Sequence, residues 1–367
     1  MNEYFYVLTT IDLFVLSFMC VLTKLSESLN RKQKRGFFLA YTLIAVISVL
    51  EVVTILVDGT AVQNRWLNIA SNYLGFGLSP AVSLCLVYVL DKKPSPRRGF
   101  RAAAVCEAVY LVVLAATLPN GMVFSVSEEN VYSRGEFFEV YVVMYFAAIV
   151  YLAISTIITA EEFQNRSRVL IYPLIVFLMV ESIIQIELPQ LHVTWLSVTL
   201  LSVLYFIYCS EMWNQLDALT GLLNQNSYLN RTAEMSGRGE VLVVFDVDNF
   251  KQVNDQYGHL KGDICLAEIA GCIKRAYARH GYCYRTGGDE FCVLLRDGDR
   301  EEACAQSFVY RLNERRKALD FLPTVSFGSA ELSGENVVTV KDRADHNMYR
   351  YKKERKAHRM SGDAGEE

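Results

Sequence analysis

YRTGGDEFCVLL, residues 284–295, decides the fold of the C-terminal part of the chain. Apolar and aromatic residues flank Gly287 and Gly288, so the stretch predicts a β-hairpin with a glycine turn. Two carboxylates, Asp289 and Glu290, follow that turn directly. Glycine lets the backbone approach a ligand closely, and carboxylates beside such a turn suit a divalent metal. Taken alone the pattern also fits a polar hairpin that binds no ligand. A second group of carboxylates in the sequence distinguishes between these two interpretations.

That second group ends the segment EVLVVFDVD, residues 240–248. Its nearly continuous apolarity predicts a strand that is buried on both faces. Asp246 and Asp248 are spaced i and i+2, so they lie on the same face where the strand ends. Carboxylates at the end of a strand can hold magnesium without placing an unpaired charge in the core.

The segments around this strand and hairpin predict the rest of the C-terminal fold. A helix follows over residues 249–257, a second helix opens at Gly262, and a strand, TVSFGSA, covers residues 324–330. A basic helix over residues 341–356 closes the domain. The order of strand, helix, helix, strand, strand, helix, strand and helix indicates an α/β sandwich. We expect strand 324–330 to lie beside the first strand, and the sheet to bring Asp246 and the hairpin acids to one edge.

Carboxylates and a glycine turn at one edge fit magnesium-assisted phosphoryl chemistry. Lys251, Arg285 and Lys352 could neutralise the charge of a triphosphate. Each lysine also has an ordinary interpretation, Lys251 as a solvated helix residue and Lys352 as part of a charged surface helix. The combination, rather than any single residue, favours a phosphate site.

The composition indicates that a membrane region precedes this domain in the chain. The 367-residue chain is 52% hydrophobic, and its apolar residues are concentrated in the first 210 or so. The net charge is only −4, and the basic residues are accounted for by membrane topology and by the phosphate site, so we expect no nucleic-acid partner. The N-terminal apolar stretch lacks a basic start and a small-residue cleavage site, which argues against a cleavable signal peptide.

Seven apolar runs approach the roughly 20 residues that a membrane span needs. Basic residues follow the first, third and fifth runs, so the positive-inside rule places the N-terminus outside and the C-terminal domain in the cytoplasm. The predicted spans are residues 4–25, 37–57, 66–90, 102–118, 140–160, 169–186 and 193–209. We therefore predict an all-α transmembrane sensory domain over residues 1–210, the α/β domain over 211–360 and a disordered tail over 361–367.

Four acids fall within the predicted spans: Asp12, Glu51, Glu107 and Glu181. Carboxylates in hydrocarbon are costly and often mark a ligand or ion path. They also occur near span ends, in protonated form, or in hydrogen bonds between helices. Only a few residues, without proline, separate the last span from Asp217, so the last helix either transmits motion to the C-terminal domain or acts as a tether.

The C-terminal half resembles the GGDEF-domain diguanylate cyclases. The matching pieces are DALTGLLN at 217–224, FDVDNFKQVNDQYGHLKGD at 245–263, RTGGDEF at 285–291, TVSFGSA at 324–330 and ADHNMYRYKK at 344–353. The resemblance implies a central, mainly antiparallel sheet flanked by helices. It also implies condensation of two GTP molecules into cyclic di-GMP and pyrophosphate, in a homodimer that forms through the GGDEF domain and the membrane helices. Such a protein is expected in the bacterial inner membrane, under the control of an unknown signal ligand.

The resemblance further assigns roles to individual positions. It implies that Asp246, the carbonyl of Val247, Asp289 and Glu290 bind two magnesium ions, with manganese as an alternative, and that Asp289 is the general base. Asn254 and Asp263 match positions that read the guanine edge, which offers N–H donors to an acid. Gly287 and Gly288 match the turn against the phosphates. Lys251 and Lys352 match positions that neutralise phosphate charge, and Lys251 also stabilises the charge of the transition state. The expected substrate-binding set is completed by Phe250, Arg285 and Lys356.

Two departures from the family pattern bear on regulation and substrate binding. Ala278 and Gly281 stand where the family has the arginine and aspartate of its inhibitory product site, so feedback inhibition through that site is not expected. Lys356 stands where arginine is more common. A lysine keeps the positive charge but lacks the planar guanidinium group, which can donate two parallel hydrogen bonds. Neither departure touches the metal or base positions, so activity is expected.

Two further functions stay open from the sequence. The first is a catalytically silent GTP-binding receptor that recruits an effector, against which the intact RTGGDEF and Asp246 argue. The second is a transporter with an appended regulatory domain, which would need substrate flux past the four intramembrane acids.

Overall fold

The chain divides into two compact units, Met1–Trp213 and Asn214–Glu367. The structure is a computed structural model that describes residues 2–90, 98–164, 171–187, 194–233 and 238–363. The division falls close to the predicted boundary at residue 210.

The first unit is helical, as the sequence predicts, and its helices match the positions of the seven predicted spans. Six helical segments of the described residues are long and apolar enough to cross a membrane, judged by length and composition. The predicted span 169–186 corresponds to a helix of 17 residues, shorter than those six. The helices are α1 Asn2–Leu25, α2 Arg31–Val57, α3 Arg65–Val89, α4 Arg98–Thr117, α5 Glu139–Glu162, α6 Ile171–Glu187 and α7 Thr194–Asn214.

A small hairpin interrupts the predicted connection between α4 and α5. Its strands are β1 Phe124–Val126 and β2 Tyr132–Arg134, paired antiparallel. Asn130, in the turn, is buried and has a positive φ of 62°. Its side-chain amide donates to the carbonyl of Val57, 2.7 Å away, at the end of α2. Because each strand has three residues, no alternation of apolar and polar residues could announce it in the sequence.

The second unit has the predicted α/β order. Its sheet is fully antiparallel with strand order β4-β5-β3-β6, so the last strand lies beside the first, as expected. Helix α12 ends at Asp363, inside the segment 361–367 predicted as a tail, and residues 364–367 lie outside the described residues. The elements are α8 Gln225–Thr232, β3 Arg238–Val247, α9 Phe250–Tyr257, α10 His259–Tyr277, β4 Gly281–Arg285, β5 Glu290–Leu295, α11 Glu301–Ala318, β6 Val325–Ser333 and α12 Val337–Asp363.

The core explains why β3 is apolar along its length. On one face of the sheet Phe245 is 1% exposed and its ring meets those of Tyr277 and Phe308, from α10 and α11. On the other face α12 covers β6 so closely that a Cβ on Gly328 would lie 2.7 Å from the Cα of Met348. Helices on both faces bury residues 241–245 of β3, whereas Asp246, near the end of the strand, is only half-buried and reaches solvent.

Candidate active site

The four predicted metal ligands lie together at one end of β3 and β5. Asp246 is paired across the sheet with Glu290, the first residue of β5. The backbone N–H of Val247 donates to the carbonyl of Asp289, with an N–O distance of 3.3 Å. The antiparallel register therefore brings together acids that are more than forty positions apart in the sequence.

Lys352 of α12 faces the same end of the sheet. Its ammonium group forms an ion pair with the carboxylate of Asp246 and lies 3.4 Å from that of Asp248. Burial opposes protonation of Lys352, but these two carboxylates outweigh burial and raise the pKa of Lys352 above its ordinary value. The lysine is thus a fixed positive charge at neutral pH, beside the predicted metal ligands.

Asp248 has a different environment from Asp246, although the sequence pairs them. Thr324 and Ser326 donate their hydroxyls to its two carboxylate oxygens, at 2.6 and 2.8 Å. Its backbone N–H also donates to the carbonyl of Thr324, at 2.9 Å. Asp248 therefore anchors the end of β3 to the start of β6, which holds Asp246 in register.

The glycine turn has four residues, 286–289, between the ends of β4 and β5. The backbone N–H groups of Thr286 and Gly287 both donate to the carbonyl of Glu290, at 3.1 and 3.4 Å. A Cβ on Gly288 would meet no atom within 4 Å, so open space lies beside the turn. The hairpin is confirmed, and its turn presents backbone to that space.

Arg285, predicted as a substrate-binding residue, is engaged with the protein itself. One terminal nitrogen lies 3.2 Å from a carboxylate oxygen of Asp217, and the other donates to the carbonyl of Gly288 at 2.8 Å. Asp217 also accepts from the N–H and the hydroxyl of Thr220, at 2.8 and 2.6 Å. Asp217 and Arg285 therefore connect the start of the unit to the glycine turn.

This contact predicts a stability difference that depends on pH. Burial opposes ionisation of Asp217, but the hydrogen bonds from Thr220 and the charge of Arg285 outweigh it and lower the pKa of the carboxyl group from its ordinary value of 3.8. A lowered pKa stabilises the folded state above the unfolded-state pKa, and that contribution disappears as the pH falls through the folded-state pKa. We expect Asp217→Asn to lower the free energy of unfolding at pH 7 by roughly 1 kcal/mol.

Urea unfolding of residues 214–367, which have their own core, measures the effect at pH 7 and again below about pH 4. The difference between wild type and Asp217→Asn should shrink at the lower pH. Asp342→Asn, at an exposed position of α12, serves as the control. A difference that stays constant with pH would contradict the role of the ionised carboxylate.

The two predicted guanine-reading residues lie on neighbouring helices. Asn254 is on α9 and Asp263 is exposed on α10. Gly262 is buried between them, where a Cβ would overlap the side-chain amide of Asn254 and lie 3.2 Å from the ring of Phe250. The close approach of α9 and α10 at Gly262 thus fixes where the amide of Asn254 lies.

From the guanine contact that the resemblance implies for Asn254, we predict that Gly262→Ala raises the KM for GTP about three- to tenfold while changing kcat little. The added methyl group must push the amide of Asn254 aside, and one hydrogen bond to the base contributes about 0.5–1.5 kcal/mol. Steady-state kinetics measures the effect. Gly271→Ala in the same helix, where the nearest atoms to a Cβ belong to the side chain of Arg275 at 3.5 Å, is the matched control. Equal KM values for the two variants would refute the positioning role.

Three further positions singled out in the sequence lie on α9, α12 and β4. Lys251 is exposed in the first turn of α9. Lys356 falls within α12, but its side chain lies outside the described residues. Gly281 begins β4, and a Cβ there would lie 2.9 Å from the Cα of Leu295. An aspartate at position 281 would not fit this backbone, which agrees with the departure seen in the sequence.

The donor set suits magnesium better than a metal that needs a closed cage. In the part of the chain that the structure describes, no three His, Cys, Asp or Glu side chains gather into a metal cluster. Magnesium is commonly bound by one or two carboxylates, waters and the phosphates of the substrate. Asp246, Asp289 and Glu290, with the carbonyl of Val247, offer only oxygen ligands beside open space, and so they fit such a site.

Comparisons with known proteins identify the family. Residues 214–358 match the family model for the diguanylate cyclase GGDEF domain. The C-terminal unit of this chain is therefore a GGDEF domain of the diguanylate cyclase family, and the resemblance seen in the sequence is confirmed. The N-terminal unit, with six long apolar helices among its described residues, fits a membrane sensory domain.

Individual relatives share this domain. Diguanylate cyclase DgcM of Escherichia coli (strain K12) is 32% identical over 145 residues, which cover 37% of this chain and 35% of that protein. Diguanylate cyclase DgcS of Shewanella oneidensis is 31% identical over 150 residues, covering 39% and 51%. The crystal structure of the GGDEF domain of DgcB from Caulobacter crescentus, in complex with c-di-GMP, is 30% identical and covers 38% of this chain and 90% of that one, with a TM-score of 0.35. The chain thus spans about a third to a half of the length of these two cyclases.

Sequence reasoning missed the residues that support the site. Asp217 contacts Arg285, and Thr324 and Ser326 contact Asp248, so these three residues support the site from inside the protein. Gly262 contributes because it has no side chain that would displace Asn254. The spacing of Asp217 and Thr220 was a usable signal, because an aspartate three residues before a threonine is typical of a side-chain-capped turn. The partners of Asp248 lie in β6 and directly before it, which is distant in the sequence, so no pattern near Asp248 indicated them.

Proposed function

We propose that this protein is a membrane-bound diguanylate cyclase that condenses two GTP molecules into cyclic di-GMP and two pyrophosphates. The observation that carries the proposal is the meeting of Asp246, Val247, Asp289 and Glu290 at one end of the sheet, beside the open space at Gly288. A positive charge, Lys352, lies at the same place.

The proposed reaction uses each of these groups. Asp246, the carbonyl of Val247, Asp289 and Glu290 would hold magnesium, or manganese. When bound, the metal neutralises phosphate charge and activates the attacking oxygen. Asp289 accepts the proton of the 3′-hydroxyl of GTP. The 3′ oxygen of that GTP then bonds to the α-phosphorus of a second GTP. The bond from this phosphorus to the oxygen that bridges the α- and β-phosphates breaks, and pyrophosphate is released.

The other predicted residues hold and orient the substrate in this proposal. Asn254 and Asp263 recognise the guanine edge, next to Phe250. Lys251 and Lys352 offset the charge that develops on the phosphates. Arg285 acts through the turn, because its guanidinium fixes the carbonyl of Gly288 and so the backbone that faces the phosphates.

One GGDEF domain holds one GTP, so we propose that the active species is a homodimer in which two domains face each other. The membrane helices contribute to that dimer and carry the signal. In the proposed topology the N-terminus is outside and the GGDEF domain is in the cytoplasm of a bacterium, because the basic residues 31–35 and 92–101 flank spans on the same side.

The purified full-length protein in detergent, incubated with GTP and magnesium, tests the proposal. We expect cyclic di-GMP and pyrophosphate, separated by liquid chromatography, in a ratio of about one to two, with a specific activity that rises with protein concentration as the dimer forms. Residues 214–367 at high concentration provide a parallel sample that is free of the membrane unit. A folded protein that binds a GTP analogue yet makes no product in either sample would favour the silent receptor instead.

A further inference from the structure

Asp12 of α1 is a carboxylate buried inside the membrane unit. Its side chain is 1% exposed, and the hydroxyl of Ser48, on α2, donates to its Oδ2 at 2.6 Å. The hydroxyl of Thr199, on α7, lies beside the same carboxyl group and is 0% exposed. Apart from this contact between the two side chains, Asp12 Oδ1 and Thr199 Oγ1 have no hydrogen-bond partner among the residues that the structure describes. Three helices therefore enclose a polar site with oxygen atoms left over.

The three helices around this carboxylate carry no lysine or arginine near Asp12, Ser48 or Thr199 in the sequence. Glu51, one turn beyond Ser48 on α2, adds a second negative charge that acts on Asp12. In the sequence α1 has no lysine or arginine before Lys24, α2 has none after Arg35, and α7 has none at all. An ionised carboxylate in this setting costs several kcal/mol unless a positive charge accompanies it.

The donor atoms define the kind of ligand. A carboxylate and two hydroxyls are hard oxygen ligands, which suit a proton or an alkali-metal ion rather than a thiolate-seeking transition metal. Magnesium bound by so few carboxylates also needs waters and substrate phosphates, and calcium takes six to eight oxygens, whereas Asp12, Ser48 and Thr199 offer four oxygens enclosed by three helices. We propose that Asp12, Ser48 and Thr199 form an intramembrane site for one monovalent cation, either a proton or a sodium ion.

The position of Thr199 gives the site a route to regulation, and this part rests on the proposed cyclase function. Thr199 lies near the start of α7, and the same helix ends at Asn214, three residues before Asp217. Near its other end Ser210 of α7 is hydrogen-bonded to Ser28, at 2.8 Å. A cation held between α1, α2 and α7 thus changes the packing of the helix that continues into the GGDEF domain.

Carbodiimide labelling of the full-length protein tests the site without relying on cyclase activity. Dicyclohexylcarbodiimide modifies protonated carboxyl groups in apolar surroundings, and peptide mass spectrometry locates the modified residue. We expect Asp12 to be labelled, with labelling that falls at least about fivefold when the site loses its proton or exchanges it for sodium. Loss with rising pH alone identifies a proton site, and protection by NaCl but not by choline chloride at one pH identifies a sodium site.

Thermal unfolding of the same protein is the second, label-free measurement. A ligand that binds only the folded state stabilises it, so the unfolding temperature should rise with sodium or with falling pH. For a sodium site, the sodium dependence should vanish in Asp12→Asn and weaken in Thr199→Val, which removes the hydroxyl while keeping the shape. For a proton site, the pH dependence should become smaller in Asp12→Asn. Glu107→Gln, which changes a buried acid on α4, is the control for the sodium dependence and should keep it.

The outcomes separate the binding site from the regulation and from the cyclase. Labelling of Asp12 that ignores both pH and sodium, or a cation dependence that survives Asp12→Asn, would overturn the site. Cyclic di-GMP formation by full-length wild type and Asp12→Asn, compared across pH and sodium, tests the regulatory part, which fails if the two proteins respond alike. A protein that makes no cyclic di-GMP under any condition refutes the cyclase, while the labelling result still decides the site.

Discussion

Changing Asp289 to alanine lowers the rate of cyclic di-GMP formation by at least about 10³-fold, because it removes a proposed metal ligand and the proposed base together. The structure gives the reason for so large an effect. Asp289 is fixed in the turn through its carbonyl, which accepts from the N–H of Val247, and its neighbour Glu290 is paired with Asp246.

Initial rates with GTP and magnesium measure this effect on the full-length protein. The binding of a GTP analogue and the thermal unfolding curve show whether Asp289→Ala is folded. Asp342→Ala, at an exposed position on α12, is the control and should keep wild-type activity. An Asp289→Ala protein that retains a tenth of the activity or more would show that this carboxylate is not the base.

Changing Gly328 to alanine destabilises the GGDEF domain by at least about 3 kcal/mol, at the upper end of the range for overpacked sites. A Cβ there would lie 2.7 Å from Met348 Cα, and closer still to the backbone N of Met348 and the carbonyl of Ala344. These atoms belong to the backbone of α12, so no side-chain rotation relieves the clash. Helix α12 also carries Lys352, four residues after Met348, so the displaced helix moves that charge away from Asp246.

Urea unfolding of residues 214–367 gives the loss of stability for Gly328→Ala. Gly271→Ala adds the same methyl group inside α10, where its nearest neighbour is the flexible side chain of Arg275. Because alanine favours helix over glycine, that control should be neutral or more stable by up to about 1 kcal/mol. A Gly328→Ala domain as stable as wild type would mean that α12 shifts along β6 at little cost.

Much of this arrangement was predictable because its signals are local. The apolar run of β3 and the glycines before β5 specify strand and turn within a few residues, and the register then follows from pairing the two strands. The supporting contacts were not predictable in the same way. Thr324 and Ser326 resemble ordinary strand residues, and only pairing of β6 with β3 brings their hydroxyls to Asp248. Arg285 was expected to face substrate because its partner, Asp217, lies 68 positions earlier in the chain.

In the helical unit Met1–Trp213 the contacts between elements were likewise not predictable from the sequence. Hydropathy located the helices, since spans of apolar residues need no partner to be recognised. It gave no information on which faces meet, and so the contact between Asp12 and Ser48 could not be foreseen from two positions in separate helices. The hairpin of β1 and β2 was missed because three-residue strands carry no periodic pattern.

The strand order β4-β5-β3-β6 has a consequence for how the protein is made. The central strand β3 leaves the ribosome early, but one of its two edges stays open until β6, residues 325–333, has been synthesised. Pairing between strands so distant in sequence is slow, because the chain must close a long loop first. During that interval the nascent domain exposes an apolar strand edge, so this is the stage of synthesis at which the domain is most prone to aggregation.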